Sequence, residues 1–210
     1  MFVADQQRRG RGRLGRQWVA PARSSLLLSI VLRRPLEPVD LTALCSVSVV
    51  GAIGETTGLH AQVKWPNDVM MRDRKVCGIL TEVVHGPGGR TAIVGIGLNV
   101  NLDPSAAALP STATSLSHEL GGTVSRRRLF DALTRQIDGW LAIPDTAVLL
   151  AGVRSQWHRL LWRREQTVRV AQDGASVTGV VEGMASSGAL ILRTVDGGHI
   201  EVAVGDVFAP

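Results

Sequence analysis

Long apolar runs alternate with glycine- and proline-rich breaks through the first hundred residues, and the last forty-five switch to short, evenly spaced strands. Phe2-Val3-Ala4 reads as a short strand. Leu26-Leu27-Leu28-Ser29-Ile30-Val31-Leu32 reads as a buried strand stopped by Pro35 and Pro38. Asp40 is the expected cap of a helix over about Leu41 to Glu55, with Leu41, Leu44, Cys45, Val49 and Ile53 as its stripe and Gly58 as its stop. Val63-Lys64-Trp65 predicts a strand ended by Pro66, with Asn67-Asp68 turning. Val69-Met70-Met71 pairs through Arg72-Asp73-Arg74 with a strand from Lys75 to Val84, and after Gly86-Pro87-Gly88-Gly89 another strand covers Thr91 to Leu98. Asp103 to Ser117, rich in Ala, Ser, Pro and Thr, reads as a long surface loop. Ser125 caps a helix carrying Leu129, Leu133, Ile137, Trp140 and Leu141; Pro144 interrupts it, and a second helix runs from about Thr146 to Trp162. From Thr167 on, strands are separated by Asp173-Gly174, Ser186-Ser187-Gly188 and Asp196-Gly197-Gly198. That is a small all-β module, expected to dock on the rest.

With 210 residues, the chain has room for one well-cored domain and a small one. No apolar run approaches the roughly 20 residues of a membrane span, and no signal peptide is evident. Cys45 and Cys77 sit in apolar segments and read as reduced core thiols, which points to the cytoplasm. The net charge of +5 is concentrated at one end: residues 1–40 carry eight arginines against Asp5, Glu37 and Asp40, whereas residues 166–210 are net acidic. A basic end suits either nucleic acid or phosphorylated and acidic substrates. There are 21 arginines and only two lysines, Lys64 and Lys75, both close to Trp65-Pro66-Asn67-Asp68. Lysine differs from arginine in being a compact, rotatable charge with a movable pKa.

The chemistry concentrates in Gly10-Arg11-Gly12-Arg13-Leu14-Gly15-Arg16-Gln17-Trp18. Glycines let anionic groups approach the backbone, and each arginine presents a planar fork of donors. The stretch fits G-x-G-x-x-G, but Pro21 opposes a following helix and the next element reads as a strand, so a dinucleotide turn is rejected. An anion-binding loop and a merely solvated basic loop both remain open on these residues alone. Phosphate-loop, nucleophile-elbow and C-x-x-C signatures are absent, and the five histidines lack metal-ligand spacing. Glu82 and Asp103 are acids with no evident partner.

Taken in order, Gly10-Arg11-Gly12-Arg13-x-Gly15-Arg16-x-Trp18, Lys64-Trp65-Pro66-Asn67-Asp68, Lys75-x-x-Gly78-Ile79-Leu80 and Gly97-Leu98-Asn99-Val100-Asn101 resemble the biotin–protein ligases. Gly188-Ala189-Leu190-Ile191-Leu192 is similar to that family's small C-terminal domain. The resemblance implies an α+β fold: a mixed, largely antiparallel sheet with helices on one side, akin to class II synthetases, over residues 1–164, and an SH3-like small β-barrel over 165–210. It implies a two-step reaction using biotin, ATP and Mg²⁺, with a biotin carboxyl carrier domain of acetyl-CoA or a related acyl-CoA carboxylase as acceptor. By the same resemblance Gln7 and Gly10, Arg11, Gly12 and Arg13 contact biotin or its adenylate. Arg16, Lys64, Asn67 and Gly78 join that site, and Trp18 covers the ligand. Lys75 touches the carboxylate and α-phosphate with Arg13, Asp68 orients or deprotonates the acceptor lysine, and Asn99 helps hold ATP with Mg²⁺. No protein metal ligands are expected.

The family pattern also contains a Ser-Thr-Asn segment some two dozen residues before the arginine loop, ahead of Met1 here, so an upstream start is expected. Arg8 and Arg9 stand where the family usually has small or neutral residues. No helix-turn-helix is seen, so no DNA partner is expected; without an apolar run of membrane-spanning length no membrane partner is expected either, and the chain is expected to be a monomer or a homodimer. Three other readings compete: an inactive relic that binds the carrier, a basic-loop nucleic-acid binder, and a lipoate ligase. The acidic β module, with only Phe208 for stacking, argues against the second, and the arginine loop against the third.

Overall fold

The computed structural model describes residues 1–87, 89–105, 109–172 and 175–209. Its larger part is built on a six-stranded sheet: β1 (Phe2–Ala4), β4 (Ser25–Leu32), β8 (Gly89–Asn99), β7 (Arg74–Gly86), β6 (Asp68–Met71) and β5 (Gln62–Lys64), in that order and antiparallel throughout. β2 (Gly10–Arg11) and β3 (Gln17–Trp18) form a separate two-stranded ribbon. β9 (Thr167–Gln172), β10 (Ala175–Met184), β11 (Leu190–Arg193), β12 (His199–Val202) and β13 (Asp206–Phe208) make a second antiparallel sheet, ordered β12-β11-β10-β9-β13. The turn expected at Asp173-Gly174 lies outside the described residues, as does Gly88.

The two faces of the large sheet have different fates because side chains alternate along each strand. Leu26, Leu28, Ile30, Cys77, Ile79, Val94, Ile96 and Leu98 are buried in the core under α1 (Pro38–Thr57). α3 (Arg126–Leu141) and α4 (Thr146–Arg159) pack on α1 from outside. Enclosed by sheet and helices, α1 is apolar nearly all round, with Leu41, Leu44, Val49 and Ile53 fully buried. It is long and apolar enough to cross a membrane by length and composition, contrary to the expectation from the sequence. Its burial here explains that composition.

Several boundaries differ from expectation. α1 begins at Pro38, with Glu37 as the residue before it, so Asp40 is not a cap. Proline at the first helical position costs no hydrogen bond. Asp40 lies inside the first turn, 4% exposed, and receives both Nε (3.1 Å) and Nη2 (2.8 Å) of Arg154. Gly58 does terminate the helix, at φ +71°. The stretch read as a surface loop over 103–117 turns inward at its end. Thr114 and Ser115 are fully buried, and Ser115 caps the short helix α2 (Leu116–Leu120). Trp162 lies beyond α4, in the connector that joins the two sheets: Trp162 N–H donates to Val63 O (2.8 Å) and Glu165 N–H to Val181 O (2.8 Å). The β module is also held by the Trp65 indole, which donates to Gly188 O at 2.9 Å.

Cys45 and Cys77 are buried and free, as expected. Burial pushes the Cys45 thiol up to about 12 and raises that of Cys77 as well.

Candidate active site

Opposite α1, the sheet bears small and polar positions: Ser29 on β4, Gly78 on β7, and Gly95, Gly97 and Asn99 on β8. Without side chains at the glycines this face sinks into the floor of a cavity of about 570 Å³. The arginine stretch folds over it. β2 and β3 pair Gly10 with Trp18 and Arg11 with Gln17, and the tip is a 3-10 turn at Arg13–Gly15, closed by Gly12 N–H to Arg16 O (2.7 Å). No helix follows the loop; the next elements are β3 and β4, which agrees with rejecting the dinucleotide reading. The Trp18 indole lies directly on the glycine floor: a Cβ at Gly97 would stand 2.6 Å from its Cε2, and one at Gly78 3.2 Å from its Cζ3.

Each loop arginine reaches a different element. Arg11 pairs with Glu82 at 2.9 Å, which corrects the view that Glu82 has no partner. Arg13 donates to Asn67 Oδ1 at 3.1 Å and to Gly205 O at 3.4 Å. Arg16 forms an ion pair with Asp206 of the β module. The Arg16 guanidinium holds the Asp206 carboxyl below the usual aspartate range. Asn67 is fixed from its other end, its Nδ2 donating to Ile79 O at 2.7 Å. Together these contacts clamp the loop shut and line the mouth with cations whose remaining donors are free for an anion.

Lys75 enters from β7. Its backbone is held by the inward segment, donating to Thr112 O (2.6 Å) and accepting from Thr114 N (2.8 Å). Its Nζ lies 2.6 Å from Asp68 Oδ1 and 5.7 Å from the Trp18 ring centre. Among the described residues that buried Asp68 oxygen has no partner besides this ion pair. Asn99, 3% exposed, donates to Thr114 O at 3.0 Å and, among the described residues, leaves Oδ1 without a partner; the residue lines the cavity.

Of the residues singled out from the sequence, Gln7, Arg11, Gly12, Arg13, Arg16, Trp18, Asn67, Asp68, Lys75, Gly78 and Asn99 lie in the cavity wall. Gly10 and Lys64 do not. Gly10 is buried against the ribbon partner, where a Cβ would be 2.4 Å from Trp18 O. Lys64 points into an aromatic slot, 5.2 Å from the Trp162 ring centre and 5.7 Å from Phe208. Burial lowers its pKa against the opposing pull of Asp68 and Asp206. Sequence reasoning missed Glu82, Asp206 and the wall contributed by Leu109, Pro110 and Thr112. Only the charge of the two acids was visible.

Residues 1–101 match the Biotin/lipoate A/B protein ligase family, and residues 165–209 match the Biotin protein ligase C terminal domain. The biotin–[acetyl-CoA-carboxylase] ligase of Paracoccus denitrificans is 34% identical over 215 residues, covering 98% of this chain and 88% of the relative. The chain belongs to the biotin protein ligase family. The bifunctional ligase/repressor BirA of Bacillus subtilis is 39% identical over 132 residues, 60% of this chain and 41% of that relative. The biotin protein ligase of Aquifex aeolicus, solved in complex with biotin and ATP, superposes with a TM-score of 0.79 at 26% identity, over 98% of this chain and 86% of that one. In this biotin protein ligase the fold is the expected α+β arrangement, with an SH3-like β module at the C-terminal side.

Proposed function

We infer that the chain is an ATP-dependent biotin–protein ligase: it joins biotin to AMP and passes the biotinyl group to a carboxylase carrier lysine. The observation that carries this reading is one cavity with an apolar glycine-and-tryptophan floor, three arginines at its mouth and Lys75 on its wall. The floor suits an uncharged ring system, and the cations suit two anions that must be brought together. In the first step the biotin carboxylate oxygen bonds to the α-phosphorus of ATP and pyrophosphate leaves. Lys75, Arg13 and Arg16 offset the charge of the approaching groups and hold them in line. In the second step a neutral carrier lysine bonds to the acyl carbon and AMP departs with the electron pair. Asp68 stands at the cavity wall, where it orients that amine and takes its proton. Residues 1–164 carry the chemistry. Residues 165–210 contribute Asp206 and the Gly205 carbonyl to the loop clamp.

Among the described residues no cluster of three His, Cys, Asp or Glu could cage a metal. Mg²⁺ is commonly held by phosphates with one or two protein oxygens, and the orphan Asn99 Oδ1 and the Asp68 carboxylate fit that mode. Bound with the nucleotide, Mg²⁺ would neutralise phosphate charge. The carrier domain is the macromolecular partner and the cytoplasm the compartment in this reading.

Biotin-dependent exchange of labelled pyrophosphate into ATP tests it. Exchange by the purified chain that falls at least 100-fold in Lys75→Ala supports the assignment. Exchange absent with biotin present, or equal in Lys75→Ala and wild type, refutes it.

A further inference from the structure

A second cavity, of about 400 Å³, is lined by the connector and shares no wall residue with the first. It forms where the β6–β7 turn, the end of α4 and the connector meet. Four arginines line it, Arg72, Arg159, Arg163 and Arg164, against two acids, Asp73 and Glu165. The wall therefore has an excess of two positive charges. A surface of solvated arginines would spread such like charges apart, whereas here the backbone gathers them. Arg72, Arg163 and Glu165 all take left-handed backbone, at φ 54°, 56° and 61°. Non-glycine residues pay strain to hold that conformation, and such strain concentrates at functional sites.

The arginines are anchored without being saturated. Arg163 donates through one Nη to Asp73 at 3.0 Å and through the other to Gln166 Oε1 at 3.5 Å, and lies 5.0 Å from the Trp162 ring centre. The same Asp73 accepts from the Trp162 indole at 3.2 Å. The Nε of Arg163 is buried with no acceptor among the described residues, an unmet donor of the kind folded proteins rarely leave. Arg164 gives one Nη to Glu165 at 2.7 Å, Arg159 reaches Gln156, and the Arg72 Nε stands 3.8 Å from Glu119. Each guanidinium has five donors, so most remain available. We propose that this cavity is a second, non-catalytic site for a phosphate-type oxyanion, held by the forks of Arg159, Arg163 and Arg164 beside Trp162. Planar forks recognise tetrahedral oxyanions through paired hydrogen bonds. The connector carries backbone bonds to both sheets, so an anion here sits at the joint between the two modules.

The proposal does not depend on the ligase reading. Its test uses inorganic phosphate as the probe, titrated by calorimetry into the full chain at fixed low ionic strength. The background is Arg13→Ala/Lys75→Ala, which removes two catalytic-cavity cations. Phosphate binding should persist in that background and weaken at least tenfold when Arg159→Gln and Arg164→Gln are added. Both of these side chains are exposed, so the fold should survive, with an unchanged melting temperature as the check. In the otherwise wild-type chain the same pair should leave pyrophosphate exchange intact. Phosphate binding that vanishes in the Arg13→Ala/Lys75→Ala background, or is equal with and without the added substitutions, overturns the proposal. Failure of exchange in every form with phosphate binding retained would sink the ligase reading and leave this site standing.

Discussion

Gly97→Ala is the smallest change that should disable the arginine loop while sparing the core. The new methyl would stand 2.6 Å from Trp18 Cε2, 2.8 Å from Cζ2 and 2.9 Å from Nε1, well inside the roughly 3.5–4.0 Å at which carbons rest. β8 is paired on both sides, with β4 and β7, and has no freedom to retreat. Trp18 sits on a two-residue strand and yields instead. Overpacking of this kind costs about 1–3 kcal/mol. At 1.4 kcal/mol per decade, the closed arrangement should become about 5- to 140-fold less favoured. The KM for biotin in pyrophosphate exchange should rise by that order. Tryptophan emission should shift to the red, and the melting temperature should barely move. Gly78→Ala is the graded control: its methyl meets the flexible Lys75 tip at 3.1 Å and Trp18 at 3.2 Å, so it should cost less than about 1 kcal/mol. Trp18→Ala should make Gly97→Ala silent, because the clash partner is gone. A Gly97→Ala enzyme with wild-type KM and emission would refute the packing argument, as would a larger effect from Gly78→Ala.

Three further expectations concern the clamp and the joint. Asp206 has its pKa depressed by Arg16, so the pair stabilises the fold above the ordinary aspartate value near 3.8, and that stability is lost as pH falls below it toward the depressed value. Urea midpoints measured from pH 7 to pH 3 should therefore drop less steeply in Arg16→Ala, and parallel curves would count against the pairing. Gly188→Ala should destabilise by about 2–5 kcal/mol, since left-handed backbone at φ +88° and a methyl 2.3 Å from Val39 Cγ2 both resist it. A loss under about 0.5 kcal/mol in urea unfolding would show that the β module does not dock there as described. Trp65→Phe removes the indole bond to Gly188 O and should cost about 1 kcal/mol, read by the same unfolding curve.

The regular elements were legible because their signals are local. The apolar run at Leu26–Leu32, the Gly58 stop, the Ser125 cap and the tight turn after Met71 each declare themselves within a few residues. Pro38 offered the true start of α1 as well, and the pull of Asp40 as a cap hid it; that carboxylate's role depends on Arg154, 114 positions away. The site divides in the same way. The glycine floor and arginine loop are written in consecutive letters. The partners that shape them are not: Glu82 is 71 residues from Arg11, and Asp206 is 190 residues from Arg16. Lys64 shows the same limit from the other side. Its motif predicts it with the ligand, whereas the aromatic neighbours of its ammonium, Trp162 and Phe208, are distant in the chain and could not be read beside it.

The enclosure of α1 sets an order of events during synthesis. The helix is complete at Thr57, but β7 and β8 end at Gly86 and Asn99 and α4 only at Arg159. A ribosome adding about 5–20 residues per second needs roughly 5–20 seconds to deliver that cover. Until that interval ends, a twenty-residue segment, apolar enough to pass for a membrane span, lacks its full cover. Translation speed and chaperone supply should therefore bear on how much of the chain reaches the folded state, even though most of the segment ends up buried, with Gly54 and Glu55 left at the surface.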